Sequence, residues 1–162
     1  MKYLIAVAAV LLASCGNTGT VDTGAAANSA PSDEMDIAES VLKSLYGDNA
    51  SAVQSSKVGA SLCFGDKDPP LEFIARFKDL DPPAFPCSAS EFNEKQGELV
   101  MRGTTKPMIS FSVKEIKILS STEAVAVGGY YEAGLSSGGY TFKLTKINGR
   151  WVVKDQLMDW IS

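Results

Sequence analysis

Tyr140-Thr141-Phe142-Lys143-Leu144-Thr145-Lys146-Ile147 and Arg150-Trp151-Val152-Val153-Lys154 flank the dipeptide Asn148-Gly149. Both runs are rich in β-branched and aromatic residues, and Asn-Gly accepts the positive φ angles that a two-residue hairpin turn requires. The stretch predicts an antiparallel hairpin near the carboxyl end. Just upstream, Leu135-Ser136-Ser137-Gly138-Gly139 reads as turn material, and Glu123 to Glu132 as a strand broken by Gly128-Gly129, where a sheet can bend. Further back, Ser110-Phe111-Ser112-Val113 alternates on odd numbers, whereas Ile116 and Ile118 carry the apolar positions on even ones. That change of parity predicts a β-bulge near Lys114-Glu115.

The first half has a different period. Ala38, Val41, Leu42, Leu45 and Tyr46 recur at helical spacing, with Asp33 as a candidate N-cap, acids at Glu34 and Asp36, and Gly47 as a stop. The pattern predicts a helix over 34–46. Leu71 to Phe77 predicts a second, short helix after Pro69-Pro70, with Leu71, Ile74, Ala75 and Phe77 as its inner positions, and the stretch from Asp48 to Gly65 is ambiguous. Helices followed by a curved antiparallel meander give an α+β class, as one globular domain over 33–162.

Residues 1–14 have another purpose. Lys2 and the uncharged run Tyr3–Ala13 form a leader too short to span a bilayer core, which needs about 20 helical residues. Leu12-Ala13-Ser14-Cys15 resembles the lipobox of bacterial lipoproteins, in which the cysteine thiol receives diacylglycerol and cleavage falls before it. By that resemblance Cys15 is the lipidated residue and Met1–Ser14 the signal peptide. Gly16 in place of the inner-membrane retention aspartate implies the periplasmic face of the outer membrane in a Gram-negative host. Residues 15–32 then form the lipidated cysteine and a tether, since Gly16–Pro31 has no aromatic residue and too little apolar area to offset the entropy of ordering.

With Cys15 lipidated, Cys63 and Cys87 remain, an even pair expected to form a disulfide in an oxidising compartment; a pair of free thiols is the alternative. The bridge would close a loop of about 25 residues, worth about 3 kcal/mol in the chain-entropy model.

Several function classes are excluded by what is missing. The chain has no histidine, so Ser-His-Asp and Cys-His mechanisms within this one polypeptide are impossible. The formal charge is −4, and more negative once Lys2 leaves, with no basic run to attract nucleic acid. Asp66-Lys67-Asp68 matches a fragment of a calcium loop but lacks its glycine and distal glutamate, so neither a metal nor a cofactor is expected.

The helix Glu34–Tyr46, the bent strands from Ser110 to Glu132 and the closing Lys146-Ile147-Asn148-Gly149-Arg150-Trp151-Val152-Val153, of the form K-x-x-G-x-W-x-V, together resemble the nuclear transport factor 2-like (SnoaL-like) superfamily. The resemblance implies a curved sheet wrapped around helices to form a cone with an apolar cavity. Tyr130, Tyr140, Phe142 and Trp151 are the residues that would line such a pocket, with core packing as the plain alternative. Enzymes of the group use Asp or His aided by Tyr. Here there is no His, no catalytic residue is assigned, and Asp155 lies just past the expected last strand.

Three readings of function follow. The first is a non-catalytic envelope lipoprotein that is held to the membrane through Cys15 and binds a small apolar ligand or an envelope protein. The second is an enzyme using carboxylate and tyrosine chemistry. The third is a small envelope inhibitor or immunity protein, which predicts a protruding loop or apolar patch between Cys63 and Cys87.

Overall fold

The computed structural model describes residues 33–49 and 56–162. The leader, the Cys15 lipidation site and the tether lie outside the described residues. The first described element is helix α1, Asp33–Asp48, whose buried stripe Ile37, Ala38, Val41, Leu42, Leu45 and Tyr46 is the face expected from spacing. Asp33 lies within the first turn rather than before it, and the helix continues one residue past Gly47. Strand β1 (Ala60–Phe64) is followed by helix α2 (Leu71–Ile74), a 3-10 turn (Ala75–Phe77), strand β2 (Ala84–Pro86) and a second 3-10 turn (Cys87–Ala89). A short hairpin, β3 (Ser90–Asn93) and β4 (Glu98–Met101), leads into four long strands: β5 (Ile109–Ile118), β6 (Glu123–Ala133), β7 (Ser136–Ile147) and β8 (Arg150–Ile161).

The eight strands form one sheet, in the order β2-β1-β5-β6-β7-β8, with the β3–β4 hairpin joined to the far end of β6 through Glu98 and Ala133. The architecture is α+β, but the sheet is mixed rather than purely antiparallel. β1 runs parallel to both β2 and β5. The parallel pairing with β2 needs a crossover, and the α2 segment supplies it. β1 lay hidden in the ambiguous stretch because Ala60, Ser61, Leu62 and Cys63 are all buried; a strand covered on both faces does not alternate.

The carboxyl-terminal hairpin forms as expected. Asn148 and Gly149 turn at φ of 50° and 79°, the two positive angles of a type I′ turn. The bulge is also present: Val113 pairs with Gly128 and Glu115 with Val127, leaving Lys114 as the extra residue. Gly128-Gly129 does not interrupt β6, which runs unbroken from Glu123 to Ala133. What the glycine there provides is close approach, since a Cβ on Gly128 would stand 2.6 Å from the Ser112 carbonyl oxygen. Ser136 to Gly139 belong to β7, and the turn is confined to Gly134-Leu135. Gly138 and Gly139 are strand residues kept small because the rings of Tyr130 and Trp160 lie against them.

In the α2 segment the inner face matches the expected one at Ile74 and Phe77 and differs at Leu71 and Ala75. Leu71 is 75% exposed and Ala75 is exposed, while Phe73 and Phe77 are buried. The two phenylalanines, four residues apart, meet at a tilt with centroids 5.3 Å apart, and Phe64 packs edge-on to Phe73 at 4.8 Å, which outweighs the burial a single Leu71 could contribute.

The core fills the space between α1, the α2 segment and the sheet, and is built around Leu42, Leu45, Leu62, Phe73, Phe111 and Phe142. Polar contacts fix α1 to the last two strands: the Ser40 hydroxyl donates to the Trp151 carbonyl of β8 at 2.6 Å, and Lys146 of β7 donates to Asp33 at 2.6 Å. Arg76 ties the α2 segment to the same helix through Asp36 at 2.8 Å and Glu39 at 2.9 Å.

Candidate functional site

The alternation of β5 places Phe111 and Val113 in the core and turns Ser110 and Ser112 to the opposite face. There the sheet borders an open groove of about 750 Å³. Its floor is small and polar, with Ser110, Ser112, Gly129 and Ser137. One wall is the segment around the Cys63–Cys87 disulfide and the β3–β4 hairpin, which contributes Phe92, and the sheet carries Tyr131 and Trp160. The three rings are half exposed: Phe92 by 48%, Tyr131 by 36% and Trp160 by 49%. Phe92 and Tyr131 are in contact, with centroids 6.4 Å apart.

The polar lining divides into groups that are used and groups that are free. Asp68 accepts from the backbone N–H of Ser88 at 2.6 Å and from its hydroxyl at 2.7 Å, so those bonds hold its carboxyl below the ordinary carboxylate range. Arg102 pairs with Glu91 at 3.3 Å and donates through Nε to the Ser88 carbonyl at 2.7 Å. In contrast, the Ser112 and Tyr131 hydroxyls and the Trp160 indole N–H have no hydrogen-bond partner among the described residues. Polar atoms left free on a concave surface are available to a ligand.

The chain matches no family model and no curated protein. Among solved structures it is similar to an NTF-2-like protein of unknown function from Shewanella oneidensis, at 19% identity over 78% of this chain and 95% of that one, with a TM-score of 0.33.

Of the four aromatic residues expected around a pocket, Tyr130 alone lines this groove. Tyr130, Tyr140 and Phe142 form a stepped row, with centroids 6.4 and 6.1 Å apart, and Phe142 is wholly within the core. Burial pushes the Tyr140 hydroxyl up, helped by Tyr130 and Asp48. Trp151 is buried beside α1, with the Lys146 ammonium 5.3 Å above its ring. The four therefore do not converge on one cavity. The residues that border the groove and escaped sequence reasoning are Phe92, Ser110 and Ser112. The alternation of β5 pointed to the two serines as an outward row, but no pattern in sequence says that an outward row faces a groove.

Cys63 and Cys87 are joined as expected, across a sequence separation of 24, and the bridge fastens β1 to the chain entering β3. Asp155 is not beyond the last strand but within β8, exposed and paired with Lys143 at 3.2 Å. The Asp66–Asp68 stretch is a turn whose second aspartate is engaged by Ser88. Between Cys63 and Cys87 the only large hydrophobic side chain that is exposed is Leu71, while β8 exposes Val152, Leu157, Met158, Trp160 and Ile161.

The carboxylates that depart from their ordinary range all move down. The hydrogen bond from Lys146 lowers Asp33, with the Trp151 indole beside it. Burial pushes Glu39 up, but its bonds from Lys43 and Arg76 outweigh that and leave it lowered. Such groups stay ionised at neutral pH and are poor proton donors. No described helix is long and apolar enough to cross a membrane.

Proposed function

We propose that this protein is a non-catalytic binding domain of the bacterial cell envelope, held to a membrane by lipid on Cys15, and that its binding site is the open groove on the sheet face away from α1. The finer placement in the nuclear transport factor 2-like group is part of the same proposal and rests on the helix, the bulged strand and the K-x-x-G-x-W-x-V hairpin. One observation carries the reading: three half-exposed rings and three unpartnered polar atoms share one concave surface, where the Asp68 carboxyl is held below its ordinary range by its bonds from Ser88. The groove is open, which fits an elongated ligand better than the enclosed apolar molecule that a sealed cone would hold.

Two measurements test this. A photoreactive residue at position 112, introduced into the full chain in intact cells, is expected to yield a crosslinked adduct on illumination; a clean absence of adducts sinks the groove as a binding site. Cys15→Ser is expected to release the protein from the membrane fraction or leave it unprocessed, because each methylene of the acyl chains contributes about 0.8 kcal/mol of anchoring. A Cys15→Ser protein that is still cleaved and still membrane-bound rules out the anchor.

A further inference from the structure

The ligand class can be read from the lining, provided that the groove is the binding site as proposed above. We infer that it takes a neutral glycan chain.

Ring geometry comes first. Trp160 lies over Gly139, where an added Cβ would overlap Nε1 and stand 2.6 Å from Cε2 and 2.9 Å from Cδ1. Three atoms of the five-membered ring lie against the glycine together, so the indole covers a bare piece of strand at the border of the groove. Tyr131 pairs with Ser137, two residues along β7 from Gly139, and Gly139 pairs in turn with Trp160. Two strand spacings across and two residues along place these ring-bearing Cα atoms about 12 Å apart in a flat sheet. Phe92 stands beside Tyr131. Trp160 and the Phe92–Tyr131 pair thus stand at two separate places on the sheet, which suits a chain of repeating units rather than a single small molecule.

Polar chemistry agrees with this. A sugar presents apolar C–H faces to rings and hydroxyls at its edges. The free hydroxyls of Ser112 and Tyr131 can both donate and accept, and the Trp160 N–H can donate. Between the rings the floor is glycine and serine, which leaves room for a substituent to approach the backbone.

Charge narrows the class further. The groove is lined by three acids, Asp66, Asp68 and Glu91, and three bases, Lys67, Arg102 and Lys114. They balance, and Arg102 is already committed to Glu91. A polyanion such as nucleic acid or an acidic polysaccharide would meet no net field. A purely apolar ligand would leave the hydroxyls unpaired in the bound state, at a cost to affinity.

The test titrates the full chain with neutral β-linked N-acetylglucosamine oligomers: dimer, tetramer and hexamer. Trp160 is the exposed tryptophan and Trp151 a buried constant background, so binding is expected to shift the emission to the blue, with affinity rising along the series. Tyr131→Ala read by emission, and Trp160→Ala read by calorimetry, should each weaken hexamer binding about tenfold, while Trp160→Phe retains most of it. Both side chains are half exposed, and unchanged melting temperatures would show that the variants fold. Hexamer that leaves emission and heat unchanged overturns the glycan assignment, as does binding that is indifferent to both alanine variants. The photocrosslink from position 112 separates the two levels. A protein adduct without oligomer binding overturns the ligand class and leaves the groove standing; no adduct and no oligomer binding removes both.

Discussion

Lys57 offers the sharpest test of how the groove's wall is held. Its side chain is only 4% exposed, yet it carries a charge, and its ammonium lies 2.6 Å from Glu132 and 3.5 Å from Glu98. Glu98 opens β4 and Glu132 lies near the end of β6, beside the Glu98–Ala133 pairing that joins the hairpin to the sheet. Lys57→Met keeps most of the volume and removes the charge. Two carboxylates are then left facing each other without their cation. Breaking a fully buried pair from one side costs about 3–5 kcal/mol. The glutamate side chains keep 27% and 21% of their exposure, so water can recover part of that. A loss of about 2–3 kcal/mol is the discounted figure. At roughly 4 °C per kcal/mol for a domain of this size, the melting temperature should fall by about 8–12 °C. Urea unfolding should show a lower midpoint at an unchanged slope, the sign of a stability change rather than a different unfolded state. Adding Glu98→Gln and Glu132→Gln to Lys57→Met should recover much of the loss, because the uncompensated charges are then gone. If Lys57→Met lies within about 0.5 kcal/mol of the parent, or if the triple variant is no better than the single, the buried clamp is not what joins the hairpin to β6.

Other consequences are smaller in scope. Gly128→Ala must push the Ser112 carbonyl, a backbone group in the middle of the sheet, and should cost about 2–3 kcal/mol in denaturant unfolding. Gly139→Ala meets the movable ring of Trp160 first, so stability should change by less than about 1 kcal/mol while tryptophan emission shifts; an equal loss at both positions would contradict this contrast. Cys63→Ser with Cys87→Ser should destabilise by about 3 kcal/mol, and reductant should lower the parent's midpoint but not the variant's. The pH dependence follows from Asp33, Glu39 and Asp68, whose folded carboxyls all lie below their unfolded values. Their contribution is fully present above the unfolded pKa and is lost as pH falls through the folded one, that is, below about pH 4. Arg76→Met removes one of the bonds that lower Glu39, so its stability curve should be flatter on the acid side; identical acid limbs for variant and parent would speak against that linkage.

How far the fold was legible depended on whether one face of each element meets water. α1 and the β7–β8 hairpin have one buried and one wet face, so spacing revealed them, and the parity switch after Val113 revealed the bulge at Lys114. β1 is covered on both faces and shows no alternation, and with it went the parallel pairings that make the sheet mixed. The α2 segment failed for a related reason. Over seven residues two helical faces are nearly equivalent in hydrophobicity, and the choice of Phe73 over Leu71 beside Phe77 is made by contact with rings, among them Phe64 of another element. Ser136–Gly139 went astray because glycine and serine mark turns when nothing lies over them. Here Tyr130 and Trp160 lie over the two glycines, and the same residues are what a strand beneath a ring requires.

Tyr130, Tyr140, Phe142 and Trp151 are the rings that the family resemblance marks as pocket-lining. In this fold the even-numbered rings Phe142 and Tyr140 pair across from Ala126 and Gly128, on the face that α1 covers, and they are used up in packing. The groove belongs to the other face: Ser110, Ser112 and Tyr131, flanked by Phe92 and Trp160 from other elements. A one-residue change of register separates the two sets, so the identity of the residues could not choose between them. What does choose is the position of α1. Once Ile37, Val41 and Leu45 are placed on the Phe111 face, the serines of β5 must point away, and any ligand that meets the sheet directly must approach from their side.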